Sequence, residues 1–321
     1  MTRKDNVKLV MEHKKPLWTP NLFTDIDMAL QSAVMERYEG RETGKDEFGV
    51  TYQYNEEARG PVQVPGDRVV KDIENWREYV TFPDVENRDW EAAAARDTVG
   101  WDRENKFSIV QMFNGMFERS HLLMGYEDTL CALLTDPEIL EEFYTEFVDY
   151  RISMIRKIAQ YYKPDAIMIF DDYAAKDALM MSAETWRKIF KKQLKRLIDA
   201  AHDCGMYYIL HCCGYLRPLL EDFIELGADA VHPVQGENNP QELKAKYGDQ
   251  ICFCGCYNNI RILDREGVTE EEIKEEVRHI MEDIAPGGGF IAWSSFFCQK
   301  PELYRQEIQK YIDKEKQDIH T

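Results

Sequence analysis

Tyr207-Tyr208-Ile209-Leu210-His211-Cys212-Cys213-Gly214 is the stretch on which the reading turns. Four residues of apolar and aromatic strand run directly into an imidazole, two thiols and a glycine. The same punctuation recurs on both sides. Upstream, Ala166-Ile167-Met168-Ile169-Phe170 ends in Asp171-Asp172, and a helical pattern follows from about Ser182 to Cys204. Downstream come Asp229-Ala230-Val231 with a helix near Gln241 to Tyr247, and Ile251-Cys252-Phe253-Cys254 with an acidic helix from Thr269 to Ile284. Phe290-Ile291-Ala292-Trp293 and a helix from Pro301 to Lys314 close the series. Strands alternating with helices in this way predict a parallel sheet with right-handed crossovers.

A closed barrel and an open doubly wound sheet both satisfy that alternation. No G-x-G-x-x-G follows any of the strands, which disfavours a dinucleotide fold. The expected class is therefore α/β, a (β/α)8 TIM barrel. Ser108-Ile109-Val110-Gln111 adds a strand ahead of a helix that starts near Phe117. Residues 1–105 are less regular and are expected to form an N-terminal extension with a hairpin around Phe48–Tyr52. Residues 106–321 then supply the main body of a single domain.

In such a barrel the chemistry gathers where strands end. Side chains alternate along an extended backbone, so His211 and Cys213 face one way and Cys212 the other. An imidazole and a thiolate two residues apart suit zinc, and catalytic zinc takes three protein ligands and keeps one position open. Cys298 can reach the same rim if the sheet closes, and Cys254 and Cys256 are alternative third ligands. Cys252, Cys254 and Cys256 are equally suited to filling core space. Asp171, Asp172 and Glu118 are candidate proton carriers or substrate orienters, although a helix cap or a pair with Lys176 accounts for the aspartates as well. Gln235, Glu237, Tyr257 and Asn258 occupy later strand ends and are candidate substrate contacts.

The composition narrows the partners. The 321 residues carry 59 acidic against 40 basic side chains, a formal net charge of −19. That balance repels phosphate backbones and anionic lipid, so neither nucleic acid nor membrane is expected as a partner. The first residues lead into no apolar leader segment, and a cytoplasmic location is expected. Seven of the eight cysteines fall after residue 200. In a reducing compartment, clustered cysteines beside a histidine favour metal or catalysis over disulfides.

Taken together, several pieces carry a family likeness: Phe170-Asp171-Asp172, Ser182–Trp186, His211-Cys212-Cys213-Gly214, Glu225–Ala230, Pro233-Val234-Gln235, Lys246–Asp249 and Pro286–Gly289. Gly115–Glu118, Gly125–Glu127, Thr135–Glu138 and Asp46–Val50 extend it upstream. The chain resembles the uroporphyrinogen-decarboxylase-like superfamily, in its zinc- and corrinoid-dependent methyltransferase branch, over about residues 46–315. The Arg-Gln-Ala-Gly-Arg segment of true decarboxylases is missing, and Pro16–Leu22 stands in that region. The resemblance implies zinc on His211, Cys213 and Cys298. Cys298 departs from the usual pattern, because the sequence continues through Trp293 to Phe297 before reaching it. Gly255–Asn259 also departs from the common Gly-Gly-Ile-Asp.

The resemblance further implies methyl transfer between a small-molecule donor or acceptor and the cobalt of a corrinoid. The sequence contains no Asp-x-His-x-x-Gly motif, so cobalamin is expected on a separate corrinoid protein docking over the barrel mouth. Aromatic strand-end loops favour a methoxylated aromatic and O-demethylation, with thiol or methylamine substrates as alternatives. A homodimer is compatible with the sequence. The rival functions are decarboxylation of another small acid, and a non-enzymatic barrel that binds a tetrapyrrole or corrinoid.

Overall fold

The computed structural model describes residues 1–293 and 298–319. In chain order the strands are β1 (Ile26–Leu30), β2 (Gly44–Lys45), β3 (Thr51–Asn55), β4 (Gly60–Gln63), β5 (Phe107–Met112), β6 (Ala166–Phe170), β7 (Tyr207–His211), β8 (Ala230–His232), β9 (Cys252–Cys254) and β10 (Phe290–Ile291). Seven of them form one sheet in the order β1-β5-β6-β7-β8-β9-β10, and every pairing is parallel. The strands β2, β3 and β4 make a separate antiparallel sheet.

The large sheet curls round on itself. Its last strand is followed by Ala292, which bridges in parallel to Asn21. The Ala292 amide donates to Pro20 O at 2.8 Å, and Leu22 N donates to Ala292 O at 3.0 Å. The short segment before β1 thus joins the two edges, giving a TIM-like barrel with seven named strands among the described residues. Its first strand comes from inside the segment read as an irregular extension. β1 was hidden because Asp27 interrupts its apolar run. That carboxylate pairs with Lys106 Nζ at 2.9 Å and accepts from Asp102 N at 2.7 Å.

Period-two alternation sorts the strand residues into two cores. Phe107, Ile109, Ala166, Met168, Phe170, Ile209, Ala230, Cys252, Cys254, Ile291 and Trp293 fill the barrel interior. The intervening residues, among them Val110, Ile167, Ile169, Tyr208, Leu210, Val231 and Phe253, pack outward under the helices. The helix Arg3–Met11 lays Val7, Val10 and Met11 on the interior cluster beside Phe107 and Ile26, the entry residues of β5 and β1. Its capping box, Thr2 with Asp5, fixes where that helix begins. No helix among the described residues is long and apolar enough to cross a membrane.

Buried charge pins the hairpin region to the barrel. Arg119 and Asp46, both fully out of solvent, pair at 2.8 Å, and Tyr52 donates to the same carboxylate at 3.2 Å. The Arg151 guanidinium pairs with Glu36. Arg119 and Asn114 both donate to the Glu36 carbonyl, the amide at 2.7 Å. Arg119 and Arg151 come from barrel helices, whereas Glu36 and Asp46 come from the segment after β1. The pairing fixes the position of that segment at the C-terminal rim.

Candidate metal centre

Strand register assembles the site. β6 and β7 pair with Phe170 opposite His211, so two residues later Asp172 lies beside Cys213. The Cys213 amide donates to Asp172 Oδ1 at 2.6 Å. The His211 ring stacks on Phe170 with centroids 3.8 Å apart, which turns its Nε2 towards the other two side chains. Cys213 Sγ lies 3.3 Å from His211 Nε2, and Asp172 Oδ1 lies 3.9 Å from the same nitrogen. The ligand atoms of Asp172, His211 and Cys213 all fall within 4.8 Å of one another.

Gly214 makes the exit turn at φ +83°, and a Cβ there would stand 2.4 Å from the Ala175 carbonyl oxygen. Any other residue would push the His211–Cys213 backbone away from Asp172. Gln235 braces the same turn, its amide oxygen accepting from Gly214 N at 2.6 Å and its amide nitrogen donating to Asn259 at 2.7 Å.

Electrostatics also favours a cation. Burial, reinforced by His232, drives the His211 pKa well below its ordinary value, so the ring is neutral with a lone pair free. Burial, with the Asp172 charge adding to it, pushes the Cys213 thiol well up. Burial likewise raises Asp172, and burial together with the Asp172 charge raises Glu118. Asp171 is pushed up to about 7 by burial and by Glu118. Among the described residues, no lysine or arginine forms an ion pair with Glu118, Asp171 or Asp172. Donor chemistry and spacing both fit zinc. Around a tetrahedral ion the standard bond lengths put S and N ligands about 3.6 Å apart and N and O ligands about 3.4 Å apart.

The other expected residues divide. Glu118 stays close to the cluster, accepting the Asp172 amide at 3.3 Å. Asp171 instead caps the helix Met116–Met124, accepting from Phe117 N at 3.3 Å and Glu118 N at 3.1 Å. Gly115 lets it approach, since a Cβ there would lie 2.4 Å from Asp171. Asn258 caps the following turn, accepting from Arg261 N at 3.3 Å. The Tyr257 phenol is buried and close enough to Cys213 for a thiolate there to raise it further. Both carboxylate oxygens of Glu237 are out of solvent with no hydrogen-bond partner.

Cys298 is not part of the cluster. It is buried, and its thiol accepts the Lys300 amide, with Asp264 and Arg305 as its charged neighbours. Residues 294–297, which lead to it, lie outside the described residues. Among the described residues the third possible donor is Asp172, expected as a proton carrier or substrate orienter and not as a ligand. The alternatives Cys254 and Cys256 are also outside the cluster. Cys254 packs inside the barrel, and Cys256, at φ 58°, packs in the outer core.

One residue that the sequence reading did not single out belongs beside the site. His232 ends β8 opposite His211, with the two Nδ1 atoms 2.8 Å apart. Alternation from Ala230 places it inward, but the expected strand stopped one residue short. A file of rings runs along this end of the barrel: Phe113 to Phe170 at 4.5 Å, Phe170 to His211, His211 to His232 at 4.8 Å, and His232 to Trp293 at 4.3 Å. Phe113 also lines a cavity of about 250 Å³ with Leu30, Val34, Met35 and Arg37.

Residues 45–296 match the uroporphyrinogen decarboxylase (URO-D) family. The chain belongs to that family. No curated protein matches it in sequence. Among solved structures it is similar to a methyltransferase from Methanosarcina mazei, with 15% identity, 98% of this chain and 99% of that one covered, and a TM-score of 0.70. At that identity the likeness establishes a shared fold. A Xaa-Pro dipeptidase with bound methionine in the active site matches at 13% identity over 51% of this chain and 33% of that one, with a TM-score of 0.20. The IOLI protein with a binding zinc atom matches at 13% over 68% and 89%, with a TM-score of 0.31. Both are too dissimilar in shape to carry an argument.

Proposed function

We propose that this URO-D family member is a zinc-dependent methyltransferase that moves a methyl group between a small substrate and the cobalt of a corrinoid held by a separate protein. The observation that carries the reading is the Asp172–His211–Cys213 cluster, an N, S and O donor set around a buried imidazole that has no ion-paired lysine or arginine among the described residues, at the C-terminal ends of parallel strands. The fold shared with a methyltransferase supports it.

His211, Cys213 and Asp172 hold the metal. Bound there, zinc supplies a Lewis acid for the atom that carries the methyl group, or keeps a thiol substrate as its thiolate. Glu118, a carboxyl pushed up to about 7 by burial and by Asp172 and one hydrogen bond from the Asp172 amide, is the group that delivers a proton to the oxygen that loses the methyl group. The apolar cavity beside Phe113 stands one ring from the Phe170–His211 stack, a size and character that suit an aromatic methyl ether. Glu237, with unpartnered oxygens, and the Tyr257 phenol are the polar groups offered to the substrate.

The test is methylation of added reduced cobalamin by zinc-loaded protein across a panel of methoxylated aromatics, thiols and methylamines. Methylation by wild type that is lost in Cys213→Ser supports the reading. Equal methylation by metal-stripped protein contradicts the zinc role. Carbon dioxide release from a small acid without metal or corrinoid moves the assignment to a decarboxylase.

A further inference from the structure

We infer that His232 is the positioning residue that accepts the His211 Nδ1 proton and holds the ring so that its Nε2 lone pair faces the metal; this rests on the metal-centre reading above. The two imidazoles meet nitrogen to nitrogen, Nδ1 to Nδ1 at 2.8 Å, on strands whose register sets them side by side. Both are buried, at 7% and 3% exposure, so no solvent competes for that hydrogen bond. Two neutral rings in this contact share one proton, and its location decides what His211 offers on its far side.

If His232 donates, His211 carries its own proton on Nε2, pointed at Cys213 and Asp172, and that nitrogen cannot take a metal. If His211 donates, its Nε2 presents a lone pair to the cluster, and His232 carries its proton on its own Nε2. The Nε2 of His232 is buried without a partner. That cost is paid in either arrangement, as an orphaned N–H or an orphaned lone pair, so it does not choose between them. The choice falls to the His211 Nε2 side, where a cation beside a thiolate and a carboxylate selects the lone pair. Phe170 stacked on the ring face supplies no hydrogen bond, so His232 is the His211 Nδ1 partner among the described residues. A ligating histidine held this way gains both orientation and basicity.

The experiment is zinc affinity by chelator competition for wild type, His211→Ala, His232→Leu and His232→Asn, each checked for native melting. Alongside it, nitrogen NMR of the zinc-loaded wild type reads the imidazole tautomers. His232→Leu is expected to bind zinc about 10- to 100-fold more weakly. His232→Asn, which keeps an acceptor near the Nδ1 position, is expected to recover most of that loss, and His211 is expected to carry its proton on Nδ1. A purely structural role for His232 would give no rescue by asparagine and would overturn the inference. So would wild-type affinity in a folded His232→Leu while His211→Ala has lost zinc, or an unprotonated His211 Nδ1. Wild type that binds no zinc would overturn the metal-centre reading and this inference with it.

Discussion

Two polar clusters lie a few residues apart in this barrel, one fully and one partly buried, and they are built on opposite principles. Around Arg119 and Arg151 each guanidinium meets a carboxylate, Asp46 or Glu36, and backbone and tyrosine donors take up further lone pairs. Charge there is balanced by the chain itself. Around His211 the chain gathers a thiol, an imidazole and three carboxyl groups and, among the described residues, forms no lysine or arginine ion pair with them. Burial raises those carboxyls and that thiol instead. The first cluster pairs each charge with an opposite one, although Glu36 Oε2, Arg119 Nε and Arg151 Nε keep no hydrogen-bond partner, and it holds the segment after β1 against the rim. The second has no ion-paired lysine or arginine among the described residues, Arg37 acting on Glu118 only from a distance, and a bound cation would complete it.

That contrast predicts a ranking of effects. Arg119→Ala strands the fully buried Asp46 carboxylate and should cost about 3–5 kcal/mol in urea unfolding, with added zinc unable to restore it. A loss below about 1 kcal/mol would mean that the pair is not integral to the fold. Zinc at a free concentration of about a hundred times its Kd should stabilise wild type by about 2.7 kcal/mol, and Cys213→Ser should erase that gain. Equal stabilisation of both proteins would place the ion elsewhere.

Titration gives a smaller effect with a definite sign. An acid whose pKa is raised on folding binds its proton more tightly in the folded state. Its contribution is full below its unfolded value near 3.8 and is lost as pH rises through about 7. The metal-free protein should therefore lose stability from about pH 4 to pH 7, and Asp171→Asn should flatten that slope. An unchanged slope in the variant would mean that Asp171 is ionised throughout. The smallest effect is expected from Cys298→Ser, which should leave zinc content unchanged, whereas Asp172→Ala should lower it. The reverse result would restore Cys298 as the third ligand.

Much of the barrel could be read from the chain because its strands are apolar runs of the right length ending in polar residues. β6 matches its expected span residue for residue, and β7 is longer by one. β1 escaped because Asp27 lies mid-strand and its ion pair with Lys106 is a tertiary fact. Half of the site was legible for the same reason, since His211 and Cys213 share a face by local geometry alone. Asp172 as the third donor was not, because it depends on the β6–β7 register, which no single strand encodes. Whether an amide at a strand end braces a loop or meets a substrate depends on its neighbours in space. Gln235 spends its oxygen on Gly214, and Asn258 spends its own on Arg261.

The most direct measurement is elemental analysis of the purified protein, with Cys213→Ser prepared in parallel. The account predicts about one zinc per chain in wild type and none in the variant. Wild type without zinc, or a variant that retains it, would contradict the metal centre and return His211, Cys213 and Asp172 to the status of a hydrogen-bonded cluster.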